Sequence, residues 1–477
     1  MKNKTSYYNK EIETMDRGDL DSLIDEKVKY TVKYAYENSK FYKKWFEKNK
    51  IDINSIQSHE DLKALPIISG DTIKKNQPPI NNYFSFKSAD DKDIITIHET
   101  SGTSGNPKSF FLTKDDWGKY IQKYARTYKS QGFKKGDSLI VCAAYGMNIG
   151  ADSMSLAAKK LNITTIPEGK CTFPVRIIEN YKPTSIVGSI FKFLRLAKRM
   201  KENGLNPEES SIKRLIAGGE SFSEESRKYI EELWGVDVFN TYGSTEGTMC
   251  GECSEKNGIH VPEDLIHLDI YNTDIEEDPN MRIENEIVKT SNSYSSHPNS
   301  CFLKDGKEGK IILTTLLNKG EKAGTLLINY DTDDSSSVIT REKCACGRTH
   351  MKINNPVRNT ETANLFGISI NRVDIEAGVF QKENMEYLTG EYESFIYGDE
   401  IQNTLRISLE CKDLENTDKS LIENNFLKSF LENKKSLKEK YYSYYENELE
   451  ILFNFCEKGE LEFYKVKGRP KRVIDRR

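Results

Sequence analysis

The chain has 477 residues, with 70 Lys and Arg against 74 Asp and Glu for a net charge of −4. That length exceeds what one compact core supports, so two or more domains are expected, and the balanced charge provides no field to recruit nucleic acid or an anionic membrane. Hydrophobic residues are 36% and charged residues 30%, but aromatics reach 10%, so the composition reads as a folded protein with a very polar surface, not a disordered chain.

The segment MKNKTSYYNKEIETMDRGD at the start has no apolar core, so no secretory signal is expected there. No run approaches the ~18 apolar residues of a membrane span. A cytoplasmic location is therefore expected, with the nine cysteines reduced. Cys142, Cys171, Cys301, Cys411 and Cys456 stand alone and read as ordinary small core residues, whereas Cys250/Cys253 and Cys344/Cys346 form close pairs that need another explanation.

Residues 20–86 read as helices and turns, because apolar positions in DSLIDEKVKYTVKYAYENSKFYKKWF recur at helical spacing. From about residue 94, short apolar runs alternate with amphipathic helices: ITIHE, KDDWGKYIQKYARTYKS, SLIVCAA, MSLAAKKL, TSIVGS, FKFLRLAKRMKENG, RLIAGGE, SEESRKYIEELWG and VDVFNTYG. This alternation predicts an α/β fold with a largely parallel sheet. Residues 261–340 are richer in strand and turn signals, which predicts an appended β region, and an α+β unit is expected after PVRNTET. Within that unit, the charged stretch 412–448 reads as a solvated helical face.

Thr100-Ser101-Gly102-Thr103-Ser104-Gly105-Asn106-Pro107-Lys108 sits between a strand signal and a helix. Glycines that let backbone N–H groups converge, hydroxyl donors and a lysine together suit a phosphate. The spacing is not that of a Walker A loop, and the plain alternative is a flexible Ser/Gly turn. The nine-residue order resembles the signature loop of the adenylate-forming superfamily of acyl and aryl-CoA ligases and luciferases. Three further segments follow in the family's order: Ala217-Gly218-Gly219-Glu220, Tyr242-Gly243-Ser244-Thr245-Glu246 and Tyr330-Asp331-Thr332-Asp333-Asp334.

The resemblance implies a large nucleotide-binding domain over 1–357 with parallel sheets plus a small β region, and a smaller mobile α+β domain over 358–477. It also implies roles. Ser101, Gly102, Thr103, Ser104, Gly105 and Lys108 would cradle ATP phosphates, while Gly218, Gly219, Glu220, Tyr242, Gly243 and Ser244 would line the nucleotide. Thr245 would touch the α-phosphate, Glu246 would hold Mg²⁺, Asp334 would accept from the ribose and Arg358 would be the hinge arginine. A flat ring against a base and a carboxylate on a hard cation suit these residue types. Asp333 stands where the family has a glycine and Asp331 where it has an arginine.

Thiolates and an imidazole at short spacing, completed by a distant pair, can make a tetrahedral structural zinc site; buried thiols beside a surface histidine are the alternative. The phenylacetate–CoA ligase-like group, which this chain resembles, carries E-C-x(6)-G-x-H together with C-x-C-G-R. That resemblance selects Cys253, His260, Cys344 and Cys346 for Zn²⁺ and leaves Cys250 outside. The ending Lys471-Arg472-Val473-Ile474-Asp475 also matches the group, but the usual catalytic lysine aligns with Arg469, so Arg469 or Lys471 would supply the positive charge.

Residues 377–398 further resemble the coenzyme F-390 synthetases of that group, which transfer AMP from ATP, or GMP from GTP, to the phenolic hydroxyl of the deazaflavin coenzyme F-420 and release pyrophosphate. Adenylyl transfer to F-420 is therefore the leading expectation. An aryl-acid–CoA ligase working through an acyl-adenylate is the alternative, and a nucleotide-binding sensor with weakened catalysis is a third reading. His98, just before the loop, reads either as an acceptor-positioning base or as a plain strand-end histidine. The partners expected are small molecules, with a homodimer left open and neither nucleic acid nor membrane.

Overall fold

The computed structural model describes residues 6–100, 106–169, 174–272, 302–359, 362–366, 368–398, 403–442, 449–461, 463, 465–466 and 469–477. Cys171 and Cys301 fall outside them. The chain divides into two compact units, one of Met1–Gly188, Lys213–Gly219 and Phe239–Pro356, the other of Ser189–Ile212, Glu220–Val238 and Val357–Arg477.

A nine-stranded sheet dominates the first unit. Its parallel half runs Thr164–Ile166, Ser138–Val141, Ser185–Gly188 and Arg214–Gly218. The last three of these are short, largely apolar and mostly buried, the pattern of strands covered on both faces, whereas the edge strand Thr164–Ile166 is exposed to half-buried. Beyond Asp237–Gly243 the sheet turns antiparallel through Met249–Glu252, Ile259–His260, Lys352–Ile353 and Val338–Thr340. A second, antiparallel sheet joins Ile266–Tyr271, Gly309–Thr315 and Tyr330–Ser336, which is the β region expected near residues 261–340.

Helix Lys114–Ser130 begins at a reciprocal cap, with the Thr113 hydroxyl accepting from Asp116 N–H and the Asp116 carboxylate accepting from Thr113 N–H. Its apolar face, Tyr124 and Tyr128, packs with Phe133, Leu139, Val141 and Ala157. The long helix Arg17–Asn38 buries Leu20, Ile24, Val28, Val32 and Ala35 against the antiparallel sheet. Asp264 joins these two helices. Its carboxylate accepts from both terminal nitrogens of Arg126, at 2.5 and 2.9 Å, and its carbonyl accepts from Lys27 Nζ at 2.5 Å.

The second unit is α+β. Strands Leu449–Cys456, Asn403–Cys411, Leu388–Gly398 and Val473–Asp475 form one mixed sheet. Helix Lys419–Asn433 buries Ile422, Phe426 and Phe430, so the charged stretch after 412 is not simply a solvated face. The three apolar residues recur every four positions and are hidden in the sequence among Glu423, Asn424, Asn425, Lys428 and Ser429. The close approach of this helix to Arg372–Val379 leaves no room for a side chain at Gly378, where a Cβ would lie 2.4 Å from the Phe426 ring.

Burial opposes ionisation of Asp264, but the Arg126 guanidinium outweighs it and holds the carboxyl at about 2, below the ordinary 3.8. A folded-state value below the unfolded one contributes stability that is complete above pH 3.8 and is lost as pH falls through about 2. Asp264→Asn is expected to cost about 3–5 kcal/mol at neutral pH, because it leaves Arg126 charged and buried. It should also remove this component of the acid-unfolding curve, read by denaturant titration at several pH values.

Candidate active site

Thr100 and Lys108 close the base of the glycine–hydroxyl loop, with Thr100 N–H donating to Lys108 O and Lys108 N–H to Thr100 Oγ1, both at 3.0 Å. Ser101, Gly102, Thr103, Ser104 and Gly105 themselves lie outside the described residues. Gln77, 5% exposed, braces the same base, since its amide nitrogen donates to Pro107 O at 2.7 Å and its amide oxygen accepts from Ser109 N–H at 3.0 Å. Sequence reading passed over Gln77, because a glutamine thirty residues upstream carries no local signal.

The Lys108 ammonium lies 2.6 Å from Glu246 Oε1 and donates to the Tyr330 hydroxyl at 2.5 Å. Three expected segments thus converge: the loop before Ser109, the turn after Gly243, and the strand beginning at Tyr330. Four residues along, past an irregularity in the strand's pairing, Asp334 accepts from the Tyr242 hydroxyl at 2.8 Å. Burial first, then the neighbouring Asp334, keeps Tyr242 protonated well above its ordinary value of 10.0. Asp333, where glycine is usual in the family, adopts φ +64°, and its N–H is held at 2.8 Å by Asp331 Oδ1. The two aspartates that depart from the pattern therefore support one another in a left-handed turn that aspartate tolerates.

Thr245 is buried, and its carbonyl accepts from the Tyr120 hydroxyl at 2.9 Å. Below it the turn closes through Ser244 N–H to Thr248 O at 3.1 Å and the Thr248 hydroxyl to Ser244 Oγ at 2.8 Å. Gly218 ends its strand against Thr241, whose hydroxyl donates to Ala217 O at 2.9 Å, and Gly219 follows in the turn. Glu220 is engaged elsewhere, in an ion pair with Arg372 at 2.7 Å, and Arg372 also binds Glu376. Burial raises the carboxyl of Glu220, but Arg372 outweighs it and holds Glu220 below the ordinary range. Arg358 lies in the short strand Val357–Arg358, and its carbonyl accepts from Thr362 Oγ1 at 3.1 Å. Arg469 pairs through its backbone with Val466, and Lys471 is half-buried. His98 is buried, its Nδ1 is 3.3 Å from Met147 O, and its Nε2 has no hydrogen-bond partner among the described residues.

Cys253, His260, Cys344 and Cys346 are all buried and bring their ligand atoms within 4.8 Å of one another. Cys253 Sγ is 3.9 Å from Cys344 Sγ, and Cys346 Sγ is 3.6 Å from His260 Nε2. Tetrahedral zinc with Zn–S of about 2.3 Å and Zn–N of about 2.05 Å requires edges of about 3.8 Å between sulfurs and about 3.6 Å from sulfur to nitrogen. These two edges match those of a tetrahedral zinc site. The other ring nitrogen, His260 Nδ1, is 3.2 Å from His350 O, which turns Nε2 towards the thiols. Cys250 faces Tyr242 in the sheet, where burial pushes its thiol up to about 12.

Residues 24–269 match the family of AMP-binding enzymes. The chain belongs to that family. It is an adenylate-forming enzyme of the ligase type, similar to phenylacetate–coenzyme A ligases. The one from Thermus thermophilus is 26% identical over 377 residues, covering 78% of this chain and 77% of that protein. The one from Pseudomonas putida is 24% identical over 425 residues, covering 86% and 88%. In fold, the chain resembles 2-hydroxyisobutyryl-CoA ligase in its post-adenylation state with 2-HIB-AMP, at a TM-score of 0.77, 20% identity and coverage of 99% and 92%. No helix among the described residues is long and apolar enough to cross a membrane.

The end of strand Arg214–Gly218 has a built-in steric test. A Cβ at Gly218 would lie 2.4 Å from Thr241 Oγ1, so Gly218→Ala is expected to destabilise the protein by about 1–3 kcal/mol. Removing the obstructing hydroxyl with Thr241→Ala should recover most of that loss in the double variant, measured by denaturant unfolding.

Proposed function

We propose that this enzyme activates an aryl carboxylic acid with ATP and then forms its CoA thioester. The observation that carries the reading is the meeting of Lys108, Glu246 and Tyr330, with the Tyr242–Asp334 pair four residues further along the Tyr330 strand. A half-buried ammonium and carboxylate that neutralise each other can exchange partners with a phosphate and its counter-ion at little net cost in charge.

In this reading a carboxylate oxygen of the acid attacks the α-phosphorus of ATP in line, the new P–O bond forms, and the bond to pyrophosphate breaks. Lys108 turns from Glu246 to a phosphate oxygen, and Thr245 donates its hydroxyl to the α-phosphate. Asp334 leaves Tyr242 for a ribose hydroxyl, and the Tyr242 ring lies on the adenine with Gly218 and Gly219 at its edge. Glu246, released from Lys108, would hold Mg²⁺, which when bound neutralises phosphate charge. Residues 358–477 act as the mobile domain with Arg358 at its hinge, and Arg469 and Lys471 supply positive charge to the departing pyrophosphate or to the acid. A four-ligand Cys₃His site closed by protein groups suits structural zinc, clipping Ile259–His260 to the Cys344–Cys346 turn.

Arg469 in place of the usual lysine, and the likeness of residues 377–398 to coenzyme F-390 synthetases, favour a second reading in which the phenolic oxygen of coenzyme F-420 is the nucleophile and no thiol follows. One assay separates them. Pyrophosphate release from Mg-ATP should depend on an aryl acid such as phenylacetate, with AMP formed only when CoA is added. Pyrophosphate release and a deazaflavin spectral shift without CoA would establish the second reading, and ATP binding without turnover of either would leave a nucleotide sensor. Glu246→Gln should lower turnover on the order of a hundredfold in either enzyme reading. Native mass spectrometry should show one zinc per chain, lost in Cys346→Ala; a stable, metal-free wild type contradicts the zinc assignment.

A further inference from the structure

Helix Lys114–Ser130 carries a lysine whose position is costly. Lys123 is 4% exposed, and burial pulls its ammonium down to about 7 from 10.5. Asp116 and the Cys250 thiol oppose that fall, while Lys119 and Arg126 add to it. Among the described residues no carboxylate comes within ion-pairing distance of Lys123. It lies 4.4 Å over the Tyr120 ring and donates to one polar atom, the carbonyl of Gly247. One turn back on the same face, the Tyr120 hydroxyl donates to the carbonyl of Thr245. The two carbonyls flank Glu246, and Gly247 sits at φ +119°, a conformation open to glycine.

We propose that Tyr120 and Lys123 are positioning residues that clamp the backbone on either side of Glu246 and so aim its carboxylate at the cation of bound nucleotide. A buried cation with no acidic partner destabilises a fold, so its retention here is explained by the loop it grips. The clamp acts only through Glu246 and Thr245 and touches no substrate. It rests on the assignment of Glu246 to Mg²⁺ made above.

Calorimetric titration of the full-length protein with ATP, with and without Mg²⁺, tests the clamp without knowledge of the acceptor. Mg²⁺ should tighten ATP binding in the wild type and do nothing in Glu246→Gln. Tyr120→Phe and Lys123→Met should each cut the Mg²⁺ enhancement on the order of tenfold while leaving metal-free ATP affinity nearly unchanged. Lys123→Gln, which keeps a donor for the carbonyl, should restore much of it. The melting temperature of Lys123→Met should equal or exceed that of the wild type, because an isolated buried charge is gone. Clamp variants with the wild-type enhancement, or with metal-free affinity lost in the same proportion, overturn the inference. An enhancement lost in Glu246→Gln but kept in the clamp variants overturns it alone; no enhancement in the wild type overturns the Glu246 assignment as well.

Discussion

The contact between Lys108 and Glu246 draws the site together. The two residues lie far apart in sequence, on loops that leave different sheets, and Tyr330 completes the triangle from a third strand. A charge pair this sheltered has low intrinsic worth for stability, because desolvation consumes most of the Coulomb attraction. In the proposed reading its value is that each charge stays ready for a ligand of the opposite sign. The rest of the first unit then reads as support. Gln77 fixes the base of the loop carrying Lys108, the sheet carrying Tyr330 fixes the acceptor, and the helix Lys114–Ser130 fixes the turn carrying Glu246.

In the proposed reading, the Cys₃His cluster would do comparable work at the antiparallel end of the large sheet. Its residues come from two segments about ninety positions apart, and the same neighbourhood holds Arg348 against Glu13 near the start of the chain. Ile259, Val261, Met351 and Ile353 already bury apolar surface beside it, and tetrahedral thiolate ligation would be a compact further means of joining such distant segments.

Much of this was legible in the sequence, and the reasons differ by feature. The parallel strands announce themselves as continuous apolar runs because both faces are covered. The family's segments announce themselves because glycine, hydroxyl and carboxylate occur in a fixed order. The clustering of Cys253, His260, Cys344 and Cys346 was readable because cysteine pairs are rare. What could not be read depends on long-range geometry. Lys123 looks like any helix-surface lysine, and only the fold shows it buried beneath Gly247. Gln77 has no motif. Glu220 belongs by order to the adenine-side segment, yet in the structure Arg372, some 150 positions later, holds its carboxylate. Asp333 looked like a departure from the family pattern, but its left-handed backbone preserves the turn that glycine would make.

The measurement that bears most directly on the central claim is a crystal structure of the protein with Mg-ATP. The account predicts that Lys108 Nζ leaves Glu246 for a phosphate oxygen, that Glu246 coordinates the cation, and that Asp334 exchanges the Tyr242 hydroxyl for the ribose. Nucleotide bound elsewhere, with the Lys108–Glu246 and Tyr242–Asp334 contacts both intact, would contradict it.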